Sequence, residues 1–256
     1  MFDELNRLAG WSLNNLPRGQ SVLLSDTNGA DASLLIHHFT SAYVKAGDRQ
    51  VILVTLAQTF PHYHVAASKI SSVSLQRARE SGSLRIIDRL TDGPDEYLAG
   101  KDSFQAAKDL YTDVERAITA CSGTLDGGLV LVDDLTSLLC VGCPRAEIAN
   151  LVRHLVALCK QRRCTLVTLV HRDIDHCDDD DEVSLYDACS LFFDTEMILN
   201  GLSSGHSKDV NGHLQLVRKR LSVHGRTVYE ESPVQHYRVT DRRLQMFAPG
   251  TSRAVL

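Results

Sequence analysis

Long apolar runs are missing from this chain of 256 residues. Apolar-rich stretches such as Leu129–Val132 and Leu166–Val170 are strand-sized, far below the roughly 18 residues that a membrane span needs. The start, Met1-Phe-Asp-Glu-Leu, has no basic segment followed by an apolar one, so no signal peptide is expected. Without a secretory leader the seven cysteines are expected to be reduced, and an odd number fits poorly with a disulfide framework. No internal repeat is visible, and the one biased stretch, Asp178–Glu182, reads as a solvated acidic loop. What remains is an ordinary globular composition, 43% hydrophobic and 23% charged, in a chain long enough to bury a sizeable core. The expectation is a soluble intracellular protein.

Charge is unevenly spread. The net charge is −5, yet residues 208–256 hold nine Lys/Arg against four Asp/Glu, so the rest of the chain is strongly acidic. A basic end on an acidic body marks either a polyanion-facing edge or an ordinary solvated surface.

Periodicity predicts an α/β fold. Strands at Gln20–Ser25, Gln50–Leu56, Leu84–Asp88, Gly127–Asp133 and Cys164–Val170 alternate with helices at Ala32–Ala46, His62–Ile70, Leu75–Glu80, Phe104–Cys121 and a segment from Pro144 through Lys160. Several of these strands lack polar alternation, as buried parallel strands do. A short helix, Asp3–Ala9, opens the chain, and Pro144 suits a helical first turn. The end differs. Leu191–Leu199 reads as a strand, Asn211-Gly212 as a hairpin turn between Ser207–Val210 and His213–Arg218, and Val234–Thr240 with Leu244–Ala248 as a second hairpin. The expected arrangement is one α/β domain over 1–256: an N-terminal segment 1–19, a mainly parallel sheet, and antiparallel C-terminal hairpins over 200–256.

The turn between the first strand and its helix stands where a phosphate-binding loop belongs. The motif G-x-x-x-x-G-K-[ST] uses glycines to let backbone N–H groups wrap phosphates, and a lysine to neutralise them. In register this chain has Asp26-Thr-Asn-Gly-Ala-Asp31-Ala32-Ser33: both glycine positions are aspartates, the lysine is Ala32, and only Ser33 survives. Each carboxylate facing a phosphate costs about 1 kcal/mol in water and more in a cleft. ATP binding by the usual mode is not expected, nor is a bound cofactor or metal. Asp133 ends an apolar strand in the Walker B manner, but with the phosphate loop lost the favoured reading is Asp133 or Asp134 as a cap for the turn into Leu135–Leu139. No catalytic glutamate stands near Ala57–Gln58, so no catalytic residues are assigned. Cys140-x-x-Cys143 lacks a second ligand pair for zinc and reads as small buried thiols, and of His37 and His38 only one is expected to face the core.

Taken together, these segments resemble the Elongator complex protein 6 family. The resemblance runs nearly end to end and rests on number and order: Met1-Phe-x-Glu-Leu-Asn, Val22-Leu-Leu-Ser-Asp, Leu35-Ile-His37-His38-Phe39, His62-Tyr63, Ala78-Arg79-Glu80-x-Gly82, Leu131-Val-Asp133-Asp134-Leu135, Lys208-Asp-Val-x-Gly212 and Ser252-x-Ala254-Val255-Leu256. It implies a RecA-like three-layer fold and a non-catalytic subunit that forms a hetero-hexameric ring with two sister subunits. It further implies docking of that ring on the catalytic Elongator subcomplex, tRNA binding, support of carboxymethyl-type wobble-uridine modification, and residence in cytoplasm and nucleus. In that setting the RNA-contact candidates are Arg218, Lys219, Arg220, Arg226, Arg242 and Arg243, which otherwise read as edge-strand charges that block aggregation. The acidic loop from His171 through Glu182 is a poor phosphate contact. Rival readings are a free-standing ATPase with an atypical phosphate loop, or a scaffold whose basic edge binds protein.

Overall fold

The computed structural model describes residues 2–91, 103–121, 126–174, 183–203, 205, 207–222, 226–240 and 243–249. In chain order the elements are α1 (Asp3–Ala9), β1 (Ser21–Asp26), α2 (Ser33–Ala46), β2 (Val51–Thr55), α3 (Phe60–Ser71), α4 (Leu75–Glu80) and β3 (Leu84–Asp88). There follow α5 (Ser103–Ala120), β4 (Leu129–Val132), α6 (Thr136–Cys140), α7 (Arg145–Gln161), β5 (Thr165–His171), α8 (Leu185–Ser190) and β6 (Thr195–Asn200). The last four are β7 (Gly212–Leu221), β8 (Thr227–Glu231), β9 (Gln235–Thr240) and β10 (Arg243–Phe247).

All ten strands join one sheet in the order β10-β9-β7-β6-β1-β5-β4-β2-β3, with β8 beside the far half of β7. From β6 to β3 every neighbouring pair is parallel, and β7 to β10 add antiparallel strands at one edge. Residues of β1, β2 and β4 are buried throughout. The reason is that both faces are covered, and alternate side chains enter different cores. Val22, Leu24, Leu53, Leu131 and Val167 pack under α1–α4. Leu23, Ile52, Val54, Val130 and Leu166 pack under α5–α7. Two helical layers on one sheet make the three-layer architecture.

Local chemistry sets the element ends. Gly10 adopts φ 67° to cap α1, and Gly47 adopts φ 78° to cap α2. Pro144 is the cap residue of α7 in an extended conformation rather than a residue of its first turn. The Tyr43 hydroxyl and Thr165 Oγ1 both donate to the Pro17 carbonyl, at 2.7 and 2.9 Å, which fastens the N-terminal segment to the start of β5.

Two expectations for the last third are corrected. Asn211-Gly212 is not a hairpin turn: 207–210 form no strand, and β7 pairs with β6 from Asn200↔His213 across the connection 201–211. Asn211 instead hydrogen-bonds β9, its Oδ1 accepting from Val239 N–H at 2.7 Å. A side chain at Gly212 would lie 2.4 Å from the Asn200 carbonyl, so close strand approach, not turn geometry, requires that glycine. The strand expected from Leu191 begins only at Thr195, because Leu191 caps α8 and Asp194 is turned to bond Ser21. The hairpin of β9 and β10 is as expected, and β8 adds a further strand beside β7.

Leu131→Ala is expected to cost about 2–5 kcal/mol in urea unfolding, whereas Val65→Ala on the exposed side of α3 should stay within about 0.5 kcal/mol.

Candidate functional site

The loop Asp26–Ser33 leaves the carboxyl end of β1 and enters α2, the position of a phosphate-binding loop in this architecture. Its backbone N–H groups are the ones a phosphate would need, and three of them are held by carboxylates of the chain itself. Asp26 Oδ2 accepts from Ala32 N–H at 2.8 Å, Asp31 Oδ1 accepts from Ser33 N–H at 2.9 Å, and Asp173 accepts from Asn28 N–H. A fourth, from Ala30, donates to the Thr27 carbonyl at 2.9 Å. Asp26 is buried at the N-terminus of α2, where the helix dipole favours an anion. Its carboxylate stands in for the anion that the loop would otherwise bind.

The other oxygen of Asp26 shares a 2.6 Å hydrogen bond with His171 Nδ1 at the end of β5, and His171 Nε2 lies 3.9 Å from Asp134 Oδ2. The bond to Asp26 raises the His171 pKa above the ordinary imidazole value; burial opposes the rise, and the charges of Asp134, Asp26 and Asp31 add to it.

Asp133 is equally committed. Its Oδ1 accepts from Leu56 N–H at 2.7 Å, its Oδ2 from Gln58 N–H at 3.2 Å, and Ala57 N–H reaches both oxygens, at 3.3 and 3.2 Å. The Tyr63 hydroxyl donates to Oδ2 at 2.9 Å. Burial pushes the Asp133 carboxyl up to about 6, against the lowering effect of these bonds. Burial and the neighbouring Asp133 charge push the Tyr63 phenol far above its usual value. Asp133 thus ties β4 to the loop after β2, and its oxygens are used by that loop. The capping role belongs to Asp134, which accepts from Thr136 N–H at 2.7 Å and from the Ser137 hydroxyl at 2.6 Å.

The expected RNA-contact residues do not form one stripe. Arg218 donates to the Ala9 carbonyl at 2.5 Å. Lys219 is withdrawn: it pairs with Glu196, donates to the Ser190 carbonyl and lies against the Tyr229 ring, with only 11% of its side chain exposed. Arg220 is exposed and 3.4 Å from Glu230. Arg226 and Arg243 are exposed, and Arg242 lies outside the described residues. Of the acidic loop only His171–Ile174 is described.

Two lesser expectations change. His37 and His38 are both buried, because α2 is flanked by the sheet on one side and by α3 on the other. His38 Nε2 meets Asn6 Oδ1 at 3.0 Å and the ring stacks on Phe2, while His37 packs on Tyr63 and His62. Burial lowers their pKa values, to about 3 for His38 and, with help from His62, to about 4 for His37. Cys140 is exposed, whereas Cys143 is buried and its thiol is pushed up to about 11, chiefly by burial. Among the described residues no group of three or more His, Cys, Asp or Glu is arranged to hold a metal ion.

A family model described as Elongation complex protein 6 matches residues 2–241. The chain belongs to this family. Elongator complex protein 6 of Xenopus laevis is 32% identical over 272 residues, with all of both chains covered. The Homo sapiens protein of that name is 31% identical over 286 residues, again with full coverage, and that of Drosophila melanogaster 25% over 237 residues, covering 90% of each. Among solved structures, a KaiC-like protein from the hyperthermophilic archaeon Pyrococcus horikoshii superposes with a TM-score of 0.60 over 91% of each chain at 11% identity. That likeness concerns the fold, which is RecA-like.

Two measurements check this site. The Asp26–His171 pair contributes stability that is fully present below the ordinary imidazole pKa of about 6.5 and is lost as pH rises through the raised midpoint. Asp26→Asn is therefore expected to return the His171 midpoint toward the ordinary value in an NMR titration; an unmoved midpoint would contradict the pairing. Calorimetry of the isolated chain with Mg²⁺–ATP is expected to show no binding tighter than about 1 mM. Tight binding abolished by Asp133→Ala would overturn the closed-loop reading.

Proposed function

We propose that this chain is a non-catalytic subunit of the Elongator complex, joined with two sister subunits of the same fold in a hetero-hexameric ring of two copies each. The ring docks on the catalytic Elongator subcomplex, binds tRNA, and supports carboxymethyl-type modification of wobble uridines, in cytoplasm and nucleus. The observation that carries the non-catalytic part is the loop after β1, whose N–H groups are held by Asp26, Asp31 and Asp173. A subunit whose own anion site is filled from within can still supply an interface and RNA contacts to its neighbours. The ring itself is supported by family membership and by the fold, since head-to-tail contacts between like domains close into rings.

Native mass spectrometry of the chain co-expressed with the two sister subunits tests this proposal. One species with two copies of each is expected, and a monomer indifferent to both would sink the assignment.

A further inference from the structure

Because the strands from β6 to β3 all run in the same direction, the sheet has a carboxyl end and an amino end. Ligands of open α/β sheets sit at the carboxyl end. Here that end gathers Asp26, Asp31, Asp88, Asp133, Asp134 and Asp173, which repel phosphate. The amino end has the opposite character. Arg18 precedes β1, Arg162 and Arg163 precede β5, and Arg218 to Arg220 lie where β7 passes the start of β6, with Arg218 opposite Thr195.

Pairing removes part of that charge. Lys160 meets Asp194 at 2.8 Å, Arg163 meets Asp126 at 3.5 Å, Lys219 meets Glu196, and Arg220 meets Glu230 across an exposed 3.4 Å gap. Among the described residues no carboxylate pairs with Arg18 or Arg218. Arg218 gives one N–H to the Ala9 carbonyl, which leaves most of its five donors free.

Arg18, Arg218 and Arg220 border a cleft of about 600 Å³ whose lining is mostly polar; its one carboxylate among the lining residues, Asp194, is the one paired with Lys160. In its wall stands Trp11, the chain's single tryptophan. The indole is held in place rather than loose. Its backbone N–H bonds the Asn6 carbonyl at 2.7 Å, Gly10 turns the chain at φ 67°, and the ring packs edge-on against Phe39 at 5.5 Å. A fixed aromatic face beside guanidinium groups suits a base with its phosphates, the combination by which single strands are bound. An acidic peptide would meet the charge, but it would lack the apolar anchor pockets on which peptide affinity depends.

We propose that this cleft binds a nucleotide of single-stranded RNA, its base stacked on Trp11 and its phosphates held by Arg18, Arg218 and Arg220. The proposal rests on the reading of this chain as an RNA-contacting subunit, and it places the contact at the opposite end of the sheet from the carboxylate-filled loop.

The single tryptophan makes the test specific to the site. Titrating the full chain with hexa-uridylate is expected to quench its tryptophan emission to saturation. With three phosphates neutralised, affinity should fall about twentyfold between 50 and 200 mM salt. Arg18→Ala and Arg220→Ala, both at exposed positions, should each weaken binding about tenfold with the circular dichroism spectrum unchanged. The assembled complex carrying Trp11→Phe and Arg18→Ala should bind tRNA more weakly than the unmodified one. Uridine monophosphate binding as tightly as the hexamer, or poly-glutamate quenching as well as it, would overturn the assignment to an RNA strand. Absence of quenching while the assembled complex still binds tRNA would overturn this cleft and leave RNA binding standing. Failure of the unmodified complex to bind tRNA at any salt would instead sink the reading on which the proposal rests.

Discussion

The buried carboxylate of Asp26 is the constraint around which this end of the molecule is arranged. It holds the first turn of α2 through Ala32 N–H and the end of β5 through His171, so the loop, the helix and two central strands share one anion. In a working phosphate loop that anion arrives from solution and leaves again. Here it is part of the backbone's own support, and expelling it to admit a phosphate would strand both a helix N-terminus and an imidazole whose raised pKa depends on it. Asp133 repeats the logic on the next strand but one: a carboxylate in a metal-binding position, used to hold a loop.

Much of this is legible in the amino-acid sequence alone. The apolar runs of Val22–Leu24, Val51–Val54 and Leu129–Val132 lack polar alternation because each strand is covered on both faces, and that pattern is enough to specify a parallel sheet. The replacement of the motif's glycines and lysine is likewise visible in Asp26, Asp31 and Ala32. What sequence spacing conceals is reach. Nothing local indicates that Asp173 returns to Asn28, or that Tyr63 crosses from α3 to Asp133. Local signals also mislead where tertiary packing overrides them. Asn211-Gly212 has turn chemistry, yet the glycine is needed for close strand contact. A lone surface helix would bury only one of His37 and His38, whereas α2 is flanked on two sides and buries both. The run Thr-Val-Tyr in β8 carries a strand signal, short and masked by the charges that flank it.

Charge follows the same division between what is fixed and what is free. Several amino-end cations are paired with a neighbouring carboxylate, and Lys219 is largely withdrawn from solvent. A count of basic residues along β7 therefore overstates the surface they present, since alternate side chains go to opposite faces. The usable positive charge depends on Arg18, far away in sequence, as much as on the basic triplet itself.

The order of strands has a further effect on how the chain comes into being. β1 is made early, yet its two neighbours, β5 and β6, lie far downstream; the pairing Ser21↔Leu166 already spans more than half the chain. At a synthesis rate of roughly 5–20 residues per second, β1 waits on the order of ten seconds with both edges open. During that interval a short strand with an apolar centre, Val22–Leu24, is exposed to other nascent chains and to chaperones. The buried centre that makes the finished sheet stable thus makes the unfinished one vulnerable.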